Sequence, residues 1–204
     1  MVSLAKSFIL ILRRMTKNLC LEIVNGLEYL HKKSILHRDL KSENIFITHG
    51  HIRISDFGSA GKFFTENQNQ IFKLNSVRLA PNESLKELEG SPINCAPEMI
   101  KATGYNYPRD WWSVGIIIYH MIGKLNPIST LKFKPKFCLN SNLFSVGDVP
   151  FFGNDQMDVF IKILTKQPDY PDYVDKQSKM IIDGLLQKEP KRRFSAGLFH
   201  RVII

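Results

Sequence analysis

The chain has 204 residues, 44% of them hydrophobic and 23% charged, which fits one soluble globular domain with a sizeable core. Its 28 basic and 19 acidic residues leave a net charge of +9, which favours acidic partners such as nucleotide phosphates, nucleic acid or anionic lipid, or else marks a solvated basic surface. Three cysteines, Cys20, Cys95 and Cys138, lack C-x-x-C spacing, which argues against a disulfide framework or a zinc site. They point to a reducing, intracellular compartment, the cytoplasm or the nucleus.

Taken in order, Met1 to Lys6 lead into a short apolar run, Phe8 to Leu12, which Arg13 and Arg14 end before it reaches signal-peptide length. No secretion signal is expected, while the absence of an acidic residue before Glu22 leaves a transit peptide open. From Leu19 to Lys32 the residues Leu19, Ile23, Leu27 and Leu30 recur at helical spacing, so one face should pack into a core. Lys17, Glu22, Asn25 and Lys32 should face water. Gly26 weakens this helix slightly, and His31 at its end reads as a surface or capping residue with no chemistry assigned.

Asn44 to Thr48 and His51 to Asp56 read as two short strands joined at His49-Gly50, a hairpin in which Gly50 can take a positive φ. Asn44 and Asp56 lie equally far from Gly50, so antiparallel pairing is expected to set them side by side. A carboxylate and an amide oxygen meeting there suit a hard cation such as Mg²⁺. Taken singly, each would pass for a strand-end turn residue.

The stretch His37-Arg38-Asp39-Leu40-Lys41-Ser42-Glu43-Asn44 matches the catalytic-loop pattern H-R-D-L-x-x-x-N at every specified position. Asp56-Phe57-Gly58 and Ala96-Pro97-Glu98 follow in the order that pattern requires. The chain therefore resembles a eukaryotic protein kinase. Gly90-Ser91-Pro92 and Asp110-Trp111-Trp112-Ser113-Val114-Gly115 are similar to the AGC group of serine/threonine kinases, and Gly50 to Ala60 somewhat resembles the phosphoinositide-dependent kinases within it.

The resemblance implies a mainly α fold: the C-terminal lobe of a kinase, helical, with a short β-hairpin at the active site. It implies transfer of the ATP γ-phosphoryl group to a protein hydroxyl, with ATP and Mg²⁺ as cofactors. Asp39 takes the place of the catalytic aspartate and Lys41 that of the lysine that steadies the γ-phosphate. Lys41, Glu43, Asn44, Phe46 and Asp56 fall at nucleotide-site positions, Asn44 and Asp56 among them as metal ligands. Phe46 stands where a leucine usually forms the floor under adenine, and its ring either narrows the pocket or fills core. By the same resemblance Arg38 faces the activation segment, where Glu87 occupies the position of a regulatory phosphothreonine. Ser91 replaces a substrate-loop threonine, Asp110 holds the catalytic-loop backbone and Arg193 pairs with Glu98. Asn94 departs from the family, which carries a large aromatic residue there.

Residues 1–204 are thus expected to form a partial kinase domain with an expanded activation segment at 56–98, in which Thr65 to Gln70 is polar enough to be disordered. Asp110 is also an N-cap candidate. The nearly continuous apolar run from Trp111 to Ile122 should be a buried helix, too short for a membrane span of about 20 residues. A basic insertion at about 124–147 interleaves Lys124, Lys132, Lys134 and Lys136 with Phe133, Phe137 and Phe144. It reads as a surface insertion, with contact to nucleic acid or a membrane as the alternative.

Only 36 residues precede His37, with no G-x-G-x-x-G loop and no V-A-I-K lysine among them. An N-terminal β-lobe is therefore expected to be absent, and the opening residues are assigned to the helix after the interlobe hinge. Two function classes stand: a serine/threonine kinase acting on protein substrates, nearly inactive as this chain alone, or a catalytically silent binding module or scaffold. The four residues Asp39, Lys41, Asn44 and Asp56 favour the first; the missing lobe, Phe46 and Asn94 favour the second.

Overall fold

The computed structural model describes residues 4–62, 92–103, 106–123 and 149–203. Helix α1, Leu4–Lys32, is one continuous helix, so the opening apolar run and the periodic segment expected as separate elements are a single rod. Cys20, Ile23, Val24 and Leu27 on its core face are fully buried, and Leu19 and Leu30 pack beside them. Two residues later Ile35–Leu36 form β1, which pairs antiparallel with β4, Gly61–Lys62. That two-residue pairing is too short to carry a sequence pattern, and it brings the start of the activation segment against the start of the catalytic loop.

The hairpin consists of β2, Ile45–Thr48, and β3, His51–Ile54. His49 and Gly50 both have positive φ, 52° and 81°, the two-residue turn whose twist matches the flanking strands. Because the turn is centred between them, the register sets Ile45 against Ile54 and Thr48 against His51. Asn44 therefore faces Ser55, whose N–H and hydroxyl both donate to the Asn44 carbonyl at 2.9 and 3.1 Å, and Asp56 lies one residue beyond. Expected side-by-side pairing of Asn44 with Asp56 is corrected by that one step. Both strands are also shorter than expected, since Asn44 closes a 3₁₀ turn, Ser42–Asn44, and Asp56 leaves the strand in the left-handed region at φ 59°.

The hairpin is fastened to α1. A Cβ on Gly26 would lie 3.1 Å from Ile54 Cδ1, so the missing side chain lets β3 settle on the helix. Glu22, expected to face water, accepts the Ile52 N–H at 2.7 Å and meets His51 Nδ1 at 2.9 Å. Ile52 sits in a pair whose N–H points out of the ladder, so Glu22 satisfies an edge donor. These bonds hold the Glu22 carboxyl below the usual carboxylate range, the Ile52 contact most strongly.

A 3₁₀ turn, Pro92–Asn94, and the short helix α2, Pro97–Ile100, lead to α3, Pro108–Gly123. Every residue from Trp111 to Tyr119 is buried, as expected for a helix apolar on all sides, and α3 is the centre of the core. Helix α1 packs on one flank, and α5, Lys176–Leu185, on another. Gly115 marks that second crossing: a Cβ there would come within 2.7 Å of Leu186 and 2.9 Å of Leu185. Phe151 stacks on Trp112 with ring centroids 5.8 Å apart, just before α4, Gln156–Thr165. The side chains of Asp155 and Asp175 cap α4 and α5 by accepting the N–H of Asp158 and Ser178. The last helix, α6, Ala196–Ile203, buries Phe199 and lies against α1 and α5. Among the described residues no helix is long and apolar enough to cross a membrane.

Candidate active site

Strand β1 ends at Leu36, and the loop from His37 to Lys41 turns sharply because Arg38 adopts φ 70°. A left-handed residue with a Cβ costs roughly 1–2 kcal/mol, so something must hold it there. The Asp110 carboxylate does so, accepting the His37 N–H at 2.9 Å on Oδ2 and the Arg38 N–H at 3.0 Å on Oδ1. Asp110 is fully buried and is the third residue of α3, so it is not the N-cap expected from the sequence; its side chain reaches across the fold instead. His37 is buried and meets the Ser55 carbonyl at 3.0 Å, tying the loop to the end of β3.

The next residue, Asp39, is one third exposed and forms a 2.7 Å ion pair with Lys41 through Oδ2. Asn44 Nδ2 donates to the Asp39 carbonyl at 2.8 Å and to the same Oδ2 at 3.3 Å. Two donors thus converge on one carboxylate oxygen and fix the rotamer, while Oδ1 is left for a further partner. The Lys41 ammonium is held above its ordinary pKa by the bond it donates to Asp39 first, with Glu43 and Asp56 adding attraction. Three carboxylates around one ammonium give the site a cation-binding character.

Asn44 is buried, and with its nitrogen committed to Asp39 its remaining polar atom is Oδ1, a hard oxygen. Asp56 is exposed, and its Oδ1 accepts the Gly58 N–H at 3.3 Å. An amide oxygen and a carboxylate fit Mg²⁺, which binds one or two protein oxygens and fills its shell with water and substrate phosphates. Phe46 is 49% exposed and does not fill core; Phe57, at 47%, is likewise uncovered. Glu43 is exposed and accepts the Ser42 hydroxyl at 3.0 Å.

Arg38 sends its guanidinium to the carbonyls of Ser59 and Ala60, so it does face the first turn of the activation segment. Glu87 and Ser91 lie outside the described residues, as do Thr65 to Gln70 and the basic insertion at 124–147. At the far end of the segment, Arg193 and Glu98 form a bidentate pair at 2.7 and 2.9 Å with side-chain exposures of 0% and 3%. The other Arg193 N–H groups go to the carbonyls of Pro108 and Gln187, so all five donors are used.

Two residues given no role from the sequence belong to this site or its frame. His31 places Nε2 2.9 Å from Asp110 Oδ2, with its side chain 11% exposed. Glu22 carries the hairpin, as described above. Neither gives a local signal, because each contact joins residues far apart in the chain.

The protein kinase domain family model matches residues 3–201, and the chain belongs to that family. Among similar proteins, protein kinase C delta type of Rattus norvegicus is 31% identical over 84% of this chain and 20% of its own length. The serine/threonine-protein kinase AtPK1/AtPK6 of Arabidopsis thaliana is 33% identical over 87% of this chain and 30% of its own. RAC-beta serine/threonine-protein kinase of Homo sapiens is 29% identical over 86% and 29%. These relatives are serine/threonine kinases of the AGC type, and the chain spans between a fifth and a third of their lengths.

Proposed function

We propose that this lobe catalyses transfer of the γ-phosphoryl group of ATP to serine or threonine hydroxyls of proteins. The observation that carries the reading is the arrangement at Asp39, where Lys41 and Asn44 occupy Oδ2 and leave Oδ1 to take a proton. A substrate hydroxyl oxygen attacks the γ-phosphorus, the bond to the β–γ bridging oxygen breaks, ADP leaves, and the hydroxyl proton passes to Asp39 Oδ1. Lys41, a point charge on a flexible stem, moves from Asp39 to the γ-phosphate oxygens. Asn44 Oδ1 and Asp56 would hold Mg²⁺, whose chemistry there would be to neutralise phosphate charge. Phe46 forms the floor under the adenine, and Glu43 lies beside the nucleotide.

The activity needs groups that close over the triphosphate, and positioning of this kind supplies roughly 7–11 kcal/mol in well-oriented systems. Residues 1–204 on their own should therefore bind Mg-ATP feebly and transfer slowly, with rescue by an N-terminal lobe added in trans. Calorimetric titration with Mg-ATP and transfer to a generic basic protein test this. Rescued, Asp39-dependent transfer supports the reading. No transfer under any condition would leave the silent binding module, which the bulk of Phe46 favours. We place the protein in the cytoplasm, where ATP and reduced thiols are at hand; fractionation of cells checks this.

A further inference from the structure

We infer that Ser55 is a positioning residue for the metal ligands, its hydroxyl setting the distance between Asn44 and Asp56. The inference rests on the reading that these two residues take Mg²⁺. Thr48 and His51 flank the two-residue turn, and counting back from them every second pair of the hairpin should exchange two N–H···O bonds. Asn44 and Ser55 fall in that series, yet only one of their two bonds forms. The Ser55 N–H donates to the Asn44 carbonyl at 2.9 Å, but the Asn44 N–H turns back to the Lys41 carbonyl at 3.0 Å, because it closes the 3₁₀ turn. The Ser55 hydroxyl supplies the second bond instead, donating to the Asn44 carbonyl at 3.1 Å.

Both ligands are therefore reached through Ser55. The Asn44 side chain is fixed by the contacts of its Nδ2 to Asp39, and its main-chain carbonyl by the two donors of Ser55. Asp56 is the next residue, held at φ 59°, and the peptide that joins it to Ser55 is pinned at its oxygen by His37 Nε2 at 3.0 Å. The hydroxyl ties that pinned peptide to Asn44. A hydroxyl has one hydrogen to give, so with it spent on Asn44 the side chain has none for a nucleotide. Removing it leaves the Asn44 carbonyl with the Ser55 N–H, so no buried group loses its last partner and the fold should survive. What slackens is the separation of the ligands. Mg²⁺ is sensitive to that slack because it demands near-ideal octahedral geometry, whereas Ca²⁺ takes a flexible shell.

Cation titrations of the full chain, followed by NMR at the Asn44 side-chain amide and the Asp56 backbone amide, test this without any phosphoryl transfer. Ser55→Val and Ser55→Thr share one shape and differ in the hydroxyl. The Kd for Mg²⁺ should rise about three- to tenfold in Ser55→Val, as expected when one neutral hydrogen bond is lost, and stay within about twofold of wild type in Ser55→Thr. The Kd for Ca²⁺ should move by about twofold or less in both. Amide exchange at position 55 should quicken in Ser55→Val, by about three- to tenfold, and not in Ser55→Thr. Unchanged Mg²⁺ affinity in a folded Ser55→Val, or Ser55→Thr as weak as Ser55→Val, would sink the proposal. Equal losses for Mg²⁺ and Ca²⁺ would sink it too, since they mark a general loosening. A wild-type chain with no cation response at either residue overturns the metal reading, and the exchange comparison then decides alone whether the hydroxyl holds Asn44.

Discussion

Arg193–Glu98 and Lys41–Asp39 are both cation–carboxylate pairs at 2.7 Å, yet their settings are opposite: side-chain exposures are 0% and 3% in the first, 26% and 31% in the second. Arg193 spends all five donors on fixed acceptors, and no water is at hand to replace any of them. Lys41 makes one contact that a phosphate oxygen could take over. The difference shows how one chemistry serves two ends. Buried and fully satisfied, the pair clamps the end of the activation segment to the lobe; half-open, it leaves both charges within reach of solvent and of any bound group.

The comparison can be broken first at Asp39. Asp39→Asn should lower phosphoryl transfer by about 10²- to 10⁴-fold, since the proton acceptor is lost. Its unfolding midpoint should hardly move, because partly exposed pairs contribute about 0–1 kcal/mol. Near wild-type transfer would remove Asp39 from the mechanism. Glu98→Ala is the converse case: it strands the Arg193 charge in the core and should cost about 3–5 kcal/mol of stability in urea unfolding. A loss below about 1 kcal/mol would mean that water reaches Arg193 and that the two pairs are alike after all.

The smallest effect sharpens the contrast from beside the clamp. Lys188 places Nζ 4.1 Å from the Phe151 ring centre and 5.1 Å from that of Trp112, with no hydrogen-bond partner among the described residues. Burial, and then repulsion from Arg193, push its pKa down to about 8 from an ordinary 10.5. Between those values the unfolded chain binds the proton that the folded chain has released. Stability from this group is therefore lowest below pH 8 and rises as pH climbs toward 10.5. The two aromatic faces favour the ammonium and offset part of this, leaving a rise on the order of 1 kcal/mol. Lys188→Met should flatten that part of the stability–pH curve; an unchanged slope would locate the titration elsewhere.

Much of this was legible in the chain. The periodicity of Leu19, Ile23, Leu27 and Leu30 found the core face of α1, the apolar run after Trp111 found α3, and His49-Gly50 found the hairpin turn. These signals are local, and burial and turn chemistry act locally. The motif positions from Asp39 to Asn44 do converge, because a short loop has little choice. What stayed hidden depends on elements meeting in space. The one-step register shift between Asn44 and Asp56 follows from where the turn is centred, which symmetry about Gly50 misjudged. Asp110 read as a cap from its local position, and only the resemblance gave its hold on the loop backbone, because its spacing to the loop cannot be counted along the sequence. His31 and Glu22 bind partners 79 and 30 residues away, and no spacing rule reaches that far.

The chain has two tryptophans, adjacent on α3, and their surroundings differ. Trp111 meets His31 edge-on, while Trp112 stacks on Phe151 and has the charges of Lys188 and Arg193 close to its ring. Intrinsic fluorescence is therefore an optical probe planted at the middle of the lobe. Indole emission responds to its immediate surroundings, so Trp111 reports on the helix junction at His31 and Trp112 on the clamp. Replacing one with phenylalanine would give each of them a separate dye-free signal, blind to the hairpin and to the surface loops.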